Sequence, residues 1–444
     1  MLPPPNSLLC ASESDAHSSE FGGWGAYIAG MELGEIANAG ATEFGKPLDG
    51  VRILAIEQMQ ALPWGTQLLA RLGADVVKIE HPVNGDNGRG SLPTMIDPQG
   101  RRVGATFLRN NLGKRTISID LKHPEGRALV LRLAGRFDVF AENFKAGALA
   151  RLGLGYDDIA AAHPRCVYLS MSGFGNTAPT PYADWPAYAA VAEAMSGIYE
   201  FKRTGDNPPV VAPVGGLGDI GSALFGVVGV LAALRHREST GLGQYIDIAM
   251  LDAMVSMTDL VTNFWSMGLR NGEMGPMIMH GFRAGDGWFI MQVGREYEFE
   301  RLANLIAAPE WLTDPRLATR QGWLDHLETV IRPAVEGWAA GRTKVEACRA
   351  LGTAGIASGP CFRDDEVVHD PHMAARDMLV EVPRTDGIDQ PVLVPGNPVK
   401  MSRVAQGPET RVPWHGEHTD AVLRDELGLS EAEVAALRGS GAIG

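Results

Sequence analysis

The residues best suited to catalysis lie in one short segment, Gly216-Leu-Gly-Asp-Ile-Gly221, which precedes a long apolar stretch. Asp219 stands inside this glycine-rich segment. A carboxylate at the beginning of a helix can cap that helix, and the same position stabilises negative charge on an acyl adduct. The glycines leave room for a substrate to approach the carboxylate. The segment therefore predicts a helix N-cap, a carboxylate nucleophile, or both roles in one residue.

The same segment also matches the GxGxxG pattern of dinucleotide-binding loops, with Asp247 as a candidate ribose-binding acid. Asp219 argues against this alternative, because a carboxylate inside the loop would repel the pyrophosphate and occupy the helix N-terminus itself. A dinucleotide-binding loop usually follows the first strand of its domain, whereas this segment follows several predicted strands. A nicotinamide or flavin site is thus the less favoured interpretation.

Basic residues cluster in two other segments of a chain whose net charge is −14. The first cluster contains Lys114, Arg115, Lys122 and Arg127, and the second contains Lys145 and Arg151, close to Asn143. Ligands of open α/β sheets bind at the carboxyl ends of the strands, where Asn143 and Lys145 are expected. Since an acidic protein needs local positive charge to bind a polyanion, these residues are candidate phosphate contacts. The alternative is that they form solvated surface.

Composition and charge exclude several classes of function. A strongly acidic chain is a poor general nucleic-acid binder. The four cysteines, Cys10, Cys166, Cys348 and Cys361, fit neither a zinc site nor a disulfide framework, so we expect no metal and a reducing, cytoplasmic location. The strongest apolar run, residues 223–234, is too short to span a bilayer, and the N-terminus lacks a basic signal-peptide region. We therefore expect no membrane partner.

Strand and helix patterns alternate from residue 51 onwards, which predicts an α/β fold with a parallel sheet. The candidate strands are VRILAI (51–56), ADVVKIE (74–80), 116–120, DVFAEN (138–143), CVYLSMSGFG (166–175) and QYIDIAML (244–251), with a long apolar helix over 220–238. The segment 281–293 reads as a hairpin. We expect an extension of unknown role over 1–45, the first part of a large domain over 46–262, a small domain over 275–380 and a C-terminal segment over 385–444.

With these segments in place, the chain from Pro47 to Ile443 resembles the class III coenzyme A transferases, also called the CaiB/BaiF family. The resemblance rests on the order and spacing of PLDGVRILAIEQMQALPWGTQLLARLGADVVKIEHP, NNLGKRTISIDLKHPEGR, DVFAENFKAGALARLGLGYDDI, HPRCVYLSMSGFGNTAP, GDIGSALFGVVGVLAALRHRESTGLGQYIDIAMLDA and GEHTDAVLRDELGLS. It implies that Asp219 is the nucleophile. The implied CoA contacts are Gln60, Ala61, His81, Lys122, Asn143, Phe144, Lys145, Arg151 and Tyr188, with His81 standing where relatives have an arginine.

The resemblance also implies a fold, an assembly and substrates. The large CoA-binding domain would be Rossmann-like and completed by the C-terminal segment, with an α+β small domain inserted. Two chains would form an interlocked homodimer. The substrates would be an acyl-CoA and a carboxylic acid, so that CoA is a substrate and not a prosthetic group.

Two alternatives to transfer remain within the same resemblance. Racemases of 2-methylacyl-CoA pair the aspartate with a histidine, but Tyr188 and Ala189 stand at that motif, and a tyrosine is a poor proton shuttle near neutral pH. A CoA-binding protein without turnover is the non-enzymatic alternative. The apolar residues Trp265, Met274, Met277 and Met279, with His280, favour a large or hydrophobic acyl group.

Overall fold

The computed structural model describes residues 30–201, 203, 205–211, 215–269 and 275–444. The strands are β1 Met31–Glu32, β2 Arg52–Ile56, β3 Asp75–Glu80, β4 Thr94–Ile96, β5 Arg102–Gly104, β6 Arg115–Ser118, β7 Val139–Glu142, β8 Val167–Ser172, β9 Tyr245–Ala249, β10 Ile278–Ala284, β11 Gly287–Val293, β12 Ala357–Pro360, β13 Leu379–Val382 and β14 Val392–Pro395. The helices are α1 Ala61–Arg71, α2 Ala105–Asn110, α3 Pro124–Ala134, α4 Tyr156–Ala162, α5 Ala189–Met195, α6 Ile198–Phe201, α7 Leu217–Thr240, α8 Met250–Ser256, α9 Glu296–Leu305, α10 Arg320–Asp325, α11 Arg332–Ala339, α12 Lys344–Thr353, α13 Asp364–Val368, α14 Pro371–Ala375, α15 Thr419–Leu427 and α16 Glu431–Gly439.

A six-stranded parallel sheet in the order β6-β3-β2-β7-β8-β9 organises the site. Its inner strands are apolar on both faces because both faces are covered by helices. One face packs on α1, α7 and α8, and the other packs on α3 and α15. The predicted α/β fold with a parallel sheet is confirmed, and parallel order brings all the strand carboxyl ends to one edge.

A separate antiparallel sheet, β10-β11-β12, packs against α9, α11 and α12 around its own apolar core. Its first two strands pair from Ile278 with Val293 to Ala284 with Gly287, which confirms the predicted hairpin. All residues of this core fall between Ile278 and Ile356. The limits proposed for the small domain stay a prediction, as do the other domain boundaries.

The N-terminal segment contributes structure before the predicted large domain. Strand β1 pairs in parallel with β13, which pairs with β14, and this small sheet packs on the β4-β5 hairpin and α2. Residues 1–29 of the expected extension lie outside the described residues.

Helix α7 is the longest helix among the described residues and begins three residues before the predicted start at 220. By length and composition it could cross a membrane, with a mean hydropathy of 1.9, whereas the sequence indicated only a shorter run. Half of that window is buried, because α7 packs against α1, β8 and α8. Its outer face exposes Leu224, Phe225 and Val228.

Candidate active site

Asp219 lies in the first turn of α7, three residues after the N-cap residue Gly216. The interpretation of Asp219 as the N-cap is therefore wrong, because the helix begins earlier than the glycine pattern indicated. The Asp219 Oδ2 atom accepts a hydrogen bond of 3.2 Å from Gln60 Nε2. A Cβ atom on Gly216 would stand 2.6 Å from that same oxygen, so a larger residue at this position would displace the Asp219 side chain.

The Asp219 carboxyl is less acidic than an ordinary aspartate. Burial raises its pKa from 3.8 to about 6. The hydrogen bond from Gln60 and the charge of Arg109 act in the opposite direction, while the carboxylate of Glu193 raises the pKa further. Desolvation is the largest of these effects, so the net pKa shift of Asp219 is upward although the carboxylate lies at a helix N-terminus. A partly desolvated carboxylate, still mainly ionised at pH 7, is a suitable nucleophile.

Two charged residues near Asp219 were missed from the sequence. Glu193 is buried, and its Oε1 accepts a hydrogen bond of 2.9 Å from the backbone N–H of Gly218 while the Tyr199 hydroxyl donates to Oε2. Arg109, in α2, lies on the other side of Gln60, with Nη1 3.5 Å from Gln60 Oε1. The available signal for a partly buried cation was the position of Arg109 directly after the apolar residues Phe107 and Leu108.

The arrangement around α7 also argues against a dinucleotide-binding loop at residues 216–221. Glu193 already occupies a backbone N–H of the first turn, so two carboxylates face the position that a pyrophosphate would need. Asp247 is engaged as well, since its Oδ2 accepts hydrogen bonds from the backbone of Asn176 and from both the backbone and hydroxyl of Thr177. The glycine pattern therefore marks a tight helix start and not a phosphate loop.

A cleft of about 320 Å³ opens beside Asp219 at the carboxyl edge of the sheet. It brings together most of the residues expected from the sequence, and its lining is Gln58, Met59, Gln60, Ala61, Asn87, Asn143, Phe144, Lys145, Ala187, Tyr188, Asp219 and Met250. A neighbouring cavity of about 220 Å³ shares the segment 143–145, Ala187, Tyr188 and Met250 and extends to Trp185. Together the two cavities form an elongated site that begins at the candidate nucleophile.

Several of these side chains have protein partners. Asn143 exchanges two hydrogen bonds with the backbone of Gln58, so its amide fastens the end of β7 to the end of β2. Lys145 Nζ donates to the carbonyl oxygen of Asp184 at 2.7 Å. Tyr188 is 74% exposed and precedes the first residue of α5. Ala61 is the first residue of α1 and lines the cleft, so the N-terminus of this helix lies at the cleft wall.

His81, Lys122 and Arg151 do not line either cavity. They follow β3, β6 and β7 at the same edge of the sheet. His81 Nδ1 accepts hydrogen bonds from the backbone N–H groups of Val83 and Asn84, which leaves Nε2 for another contact. Lys122 and Arg151 are exposed. The structure thus does not bring these three residues to the walls of the cleft.

The first basic cluster is not one surface. Lys114 is buried, and its ammonium group contacts Glu57 Oε1 at 2.7 Å, whereas Arg115 pairs with Asp75. Burial lowers the pKa of Lys114 to about 8. This lysine can neither bind phosphate nor form solvated surface, so both interpretations were wrong for it.

The buried charges continue beneath the cleft. Lys78 pairs with Asp86 at 2.6 Å, and Asp86 also accepts the backbone N–H of Met59 at 2.9 Å. Met59 has φ 62°, a left-handed conformation that is costly for a residue with a Cβ. The network therefore holds a strained turn between β2 and α1, immediately before Gln60.

A family model described as CoA-transferase family III matches residues 48–419. The chain belongs to this family. It is a class III CoA-transferase, and its substrates are CoA thioesters and carboxylic acids. This membership confirms the family and the enzymatic activity expected from the sequence.

Curated relatives support the assignment over nearly their whole length. The chain is 34% identical to the succinyl-CoA:mesaconate CoA-transferase of Haloarcula hispanica, covering 86% of this chain and 96% of the relative. It is 33% identical to a formyl-CoA:oxalate CoA-transferase of Rhodopseudomonas palustris, with coverages of 90% and 97%. The crystal structure of a CaiB/BaiF family protein from Brucella suis is similar at a TM-score of 0.75 and 31% identity, covering 86% of this chain and 100% of that one.

Proposed function

We propose that Asp219 carries the acyl group and then CoA during transfer. Its carboxylate attacks the carbonyl carbon of the donor thioester and expels CoA thiolate, which leaves an aspartyl mixed anhydride. The thiolate attacks the aspartyl carbonyl of the anhydride, releases the donor acid and leaves an aspartyl-CoA thioester. The acceptor carboxylate then attacks that thioester, and the thiolate finally attacks the acceptor acyl carbon and frees Asp219. Covalent catalysis divides one difficult exchange into easier steps.

One observation carries this proposal: Asp219 is the carboxylate that lines the 320 Å³ cleft, at the point where Gln60 and the α7 N-terminus converge. Its pKa of about 6 leaves a reactive, mainly ionised group at neutral pH. The racemase alternative lacks a basic partner at the motif position, because Tyr188 and Ala189 stand there. The Tyr188 side chain is largely exposed instead of being held against Asp219.

We propose that CoA lies along the carboxyl edge of the sheet. Gln60 and Ala61 would meet the thioester end, the 143–145 segment and Tyr188 the middle of the molecule, and Lys122, Arg151 and His81 the rim. The side-chain amide of Asn143 is already hydrogen-bonded to the backbone of Gln58. We therefore propose that Asn143 contacts CoA through its backbone. Lys145 would exchange its contact with Asp184 for a phosphate, a stronger charge-assisted partner.

The nucleophile is tested by trapping. Wild-type protein incubated with an acyl-CoA is quenched with hydroxylamine or borohydride and digested, and mass spectrometry of the peptide that contains Asp219 should show the modified aspartate. Asp219→Ala should lose both the modification and exchange of label between acyl-CoA and free acid while still binding CoA. Asp157→Ala, at an exposed helix start, is the matched control and should keep both. Near-normal exchange by Asp219→Ala would refute the assignment.

We also propose that the working unit is a homodimer. Helix α7 exposes Leu224, Phe225 and Val228, and the segment after α8 exposes Trp265 and Met267. Contiguous exposed apolar side chains on a helix of this length are typical of an assembly interface. A second copy of this chain is the partner that the family resemblance implies.

A cytoplasmic location is the accompanying proposal. Cys166, Cys348 and Cys361, the cysteines within the described ranges, are free thiols. Burial raises the pKa of Cys166 to about 12, which agrees with an inert structural role for it.

A further inference from the structure

The segment 143–147 forms part of the wall of both cavities at the carboxyl edge of the sheet. Asn143, Phe144 and Lys145 line the two cavities, and Ala146 lines the smaller one. The segment lies between β7 and the short 3-10 helix Ala150–Leu152 and belongs to neither. The position of its backbone therefore depends on hydrogen bonds from outside the segment.

The methionine-rich region, which the sequence connected with the acyl group, contributes nothing to these walls. Trp265, Met277, Met279 and His280 line neither cavity in the described structure. Met274 lies outside the described residues. The hydrophobic acyl group that this region favoured stays a prediction.

Glu142, the last residue of β7, holds the beginning of the segment. Its side chain is buried, and Oε2 accepts a hydrogen bond of 2.8 Å from the backbone N–H of Phe144. The hydroxyl of Ser170, which lies opposite Glu142 in the pairing of β7 with β8, donates to Oε1. Both carboxyl oxygens thus have partners within the protein, and Glu142 lines neither cavity. Glu142 therefore acts on a bound substrate through the segment and not by contact.

The same network of hydrogen bonds reaches the end of the segment. Asn176 Nδ2 donates to the Ser170 hydroxyl oxygen at 3.0 Å, and Asn176 Oδ1 accepts the backbone N–H of Gly147 at 3.0 Å. The carbonyl oxygen of Gly147 in turn accepts the backbone N–H of Arg151 at 3.2 Å. One buried carboxyl is thus connected to both ends of the segment.

Lys145 lies between the two anchored positions. Its ammonium group contacts Asp184, whose side chain is fully exposed. Because the backbone is fixed on either side, the lysine can exchange Asp184 for a phosphate by side-chain motion alone. A segment that is ordered before its ligand arrives does not lose backbone entropy on binding, so it binds the ligand more tightly.

We propose that Glu142 is a positioning residue, which fixes the 143–147 segment in the conformation that binds CoA. The proposal rests on the placement of CoA proposed above. The hydrogen bonds of the carboxyl matter here, and its charge does not. Burial raises the pKa of Glu142 to about 7, against the hydrogen bonds from Ser170 and Phe144, so the group is neutral in about half of the molecules at neutral pH. Glutamine at this position would keep an acceptor for Phe144 and a donor for Ser170.

The test is a calorimetric titration of CoA into wild type, Glu142→Ala, Glu142→Gln and the control Glu409→Ala. Glu409 is also a buried glutamate and pairs with Arg71 Nε at 2.9 Å, but it lines neither cavity. We expect Glu142→Ala to raise the Kd for CoA by about tenfold, because binding must then order the segment. Glu142→Gln should stay within about threefold of wild type. Glu409→Ala should lower stability and leave the Kd unchanged.

Steady-state kinetics separate positioning from chemistry. Glu142→Ala should raise the KM for acyl-CoA and leave kcat within about twofold of wild type, because the segment binds the ground state and the transition state alike. A loss of kcat at unchanged KM would overturn the proposal, since it would place Glu142 in the chemistry at Asp219. Equal weakening of CoA binding by Glu142→Ala and Glu142→Gln would also overturn it, since the charge would then matter and not the hydrogen bonds.

The far end of the network keeps the proposal testable where Glu142→Ala fails to fold, which circular dichroism detects. Asn176→Ala leaves Glu142 in place and frees Gly147, so it should raise the Kd for CoA by about threefold or more. An unchanged Kd in this variant would refute a network that spans the segment.

Lys145→Ala distinguishes this proposal from the placement of CoA on which it rests. If Lys145→Ala weakens CoA binding while Glu142→Ala and Asn176→Ala do not, the placement of CoA stands and the positioning role of Glu142 is wrong. If none of the three variants weakens binding, the placement of CoA along this segment is wrong as well.

Discussion

Replacement of Asp219 by asparagine should stabilise the folded protein while it removes activity. In the folded state the carboxyl has a pKa of about 6 instead of 3.8, because it is buried. A raised pKa means that the folded state binds the proton more tightly than the unfolded chain does. Stability from this group is therefore present below pH 3.8 and is lost as pH rises through 6. At pH 7.5 the carboxylate is ionised in both states, so its burial lowers the free energy of unfolding by the full amount that the pKa shift represents.

The magnitude follows from the size of the shift. About two pKa units correspond to about 3 kcal/mol of unfolding free energy at pH 7.5. Asparagine keeps a similar shape and can still contact Gln60, so most of this cost should disappear in Asp219→Asn. We expect a gain of about 2–3 kcal/mol at pH 7.5 that shrinks toward zero near pH 4.

Urea denaturation at both pH values measures the effect. Asp389→Asn, which changes an exposed aspartate in the loop between β13 and β14, is the control and should alter stability by less than about 0.5 kcal/mol. A variant no more stable than wild type at pH 7.5 would refute the reasoning that desolvation dominates at Asp219. A gain that is equally large at both pH values would point to some cause other than the ionised carboxylate.

Further outcomes follow from the site and from the outer face of α7. The rate of CoA exchange should halve near pH 6 and then fall about tenfold per pH unit on further acidification, and Glu193→Gln should move that midpoint to lower pH by removing a like charge. Lys145→Ala and Arg151→Ala should each raise the CoA dissociation constant by about ten- to a hundredfold in a titration, and added salt should weaken wild-type binding more than binding by the variants. Val228→Asp should shift the protein toward monomer in sedimentation velocity, whereas Ser239→Asp near the end of the same helix should not.

The parallel sheet and the position of the long helix were predictable because both depend on local patterns. Apolar runs such as 51–56 form strands buried on two faces, and their order along the chain implies helical crossovers. The start of α7 was placed three residues late, because glycines at 216 and 218 were taken as loop although the second lies inside the helix. Because of that error Asp219 was interpreted as a possible N-cap, whereas the structure places it in the first turn.

The charged surroundings of the nucleophile could not be predicted, because they depend on contacts between distant segments. Glu193 in α5 bonds to Gly218 and Arg109 in α2 contacts Gln60, so both charges act on Asp219. Nothing in the local sequence of either residue indicates that they converge there. Lys114 shows the same limitation. Arg115 and Lys122 of the same basic cluster are at least partly exposed, whereas Lys114 is buried and paired with Glu57, which is distant in the sequence. Candidates carried by the family motifs, such as Gln60 and the 143–145 segment, did meet in one cleft.

One helix carries both the candidate nucleophile and the apolar outer face. Asp219 and Val228 are nine residues apart in α7, about 13 Å along a rigid rod. In the proposed homodimer, a partner chain that packs on the outer face would therefore also hold the position of the carboxylate. We expect dilution below the dissociation constant of that proposed dimer to lower the activity per chain, and amino-acid changes that weaken the interface to lower turnover as well.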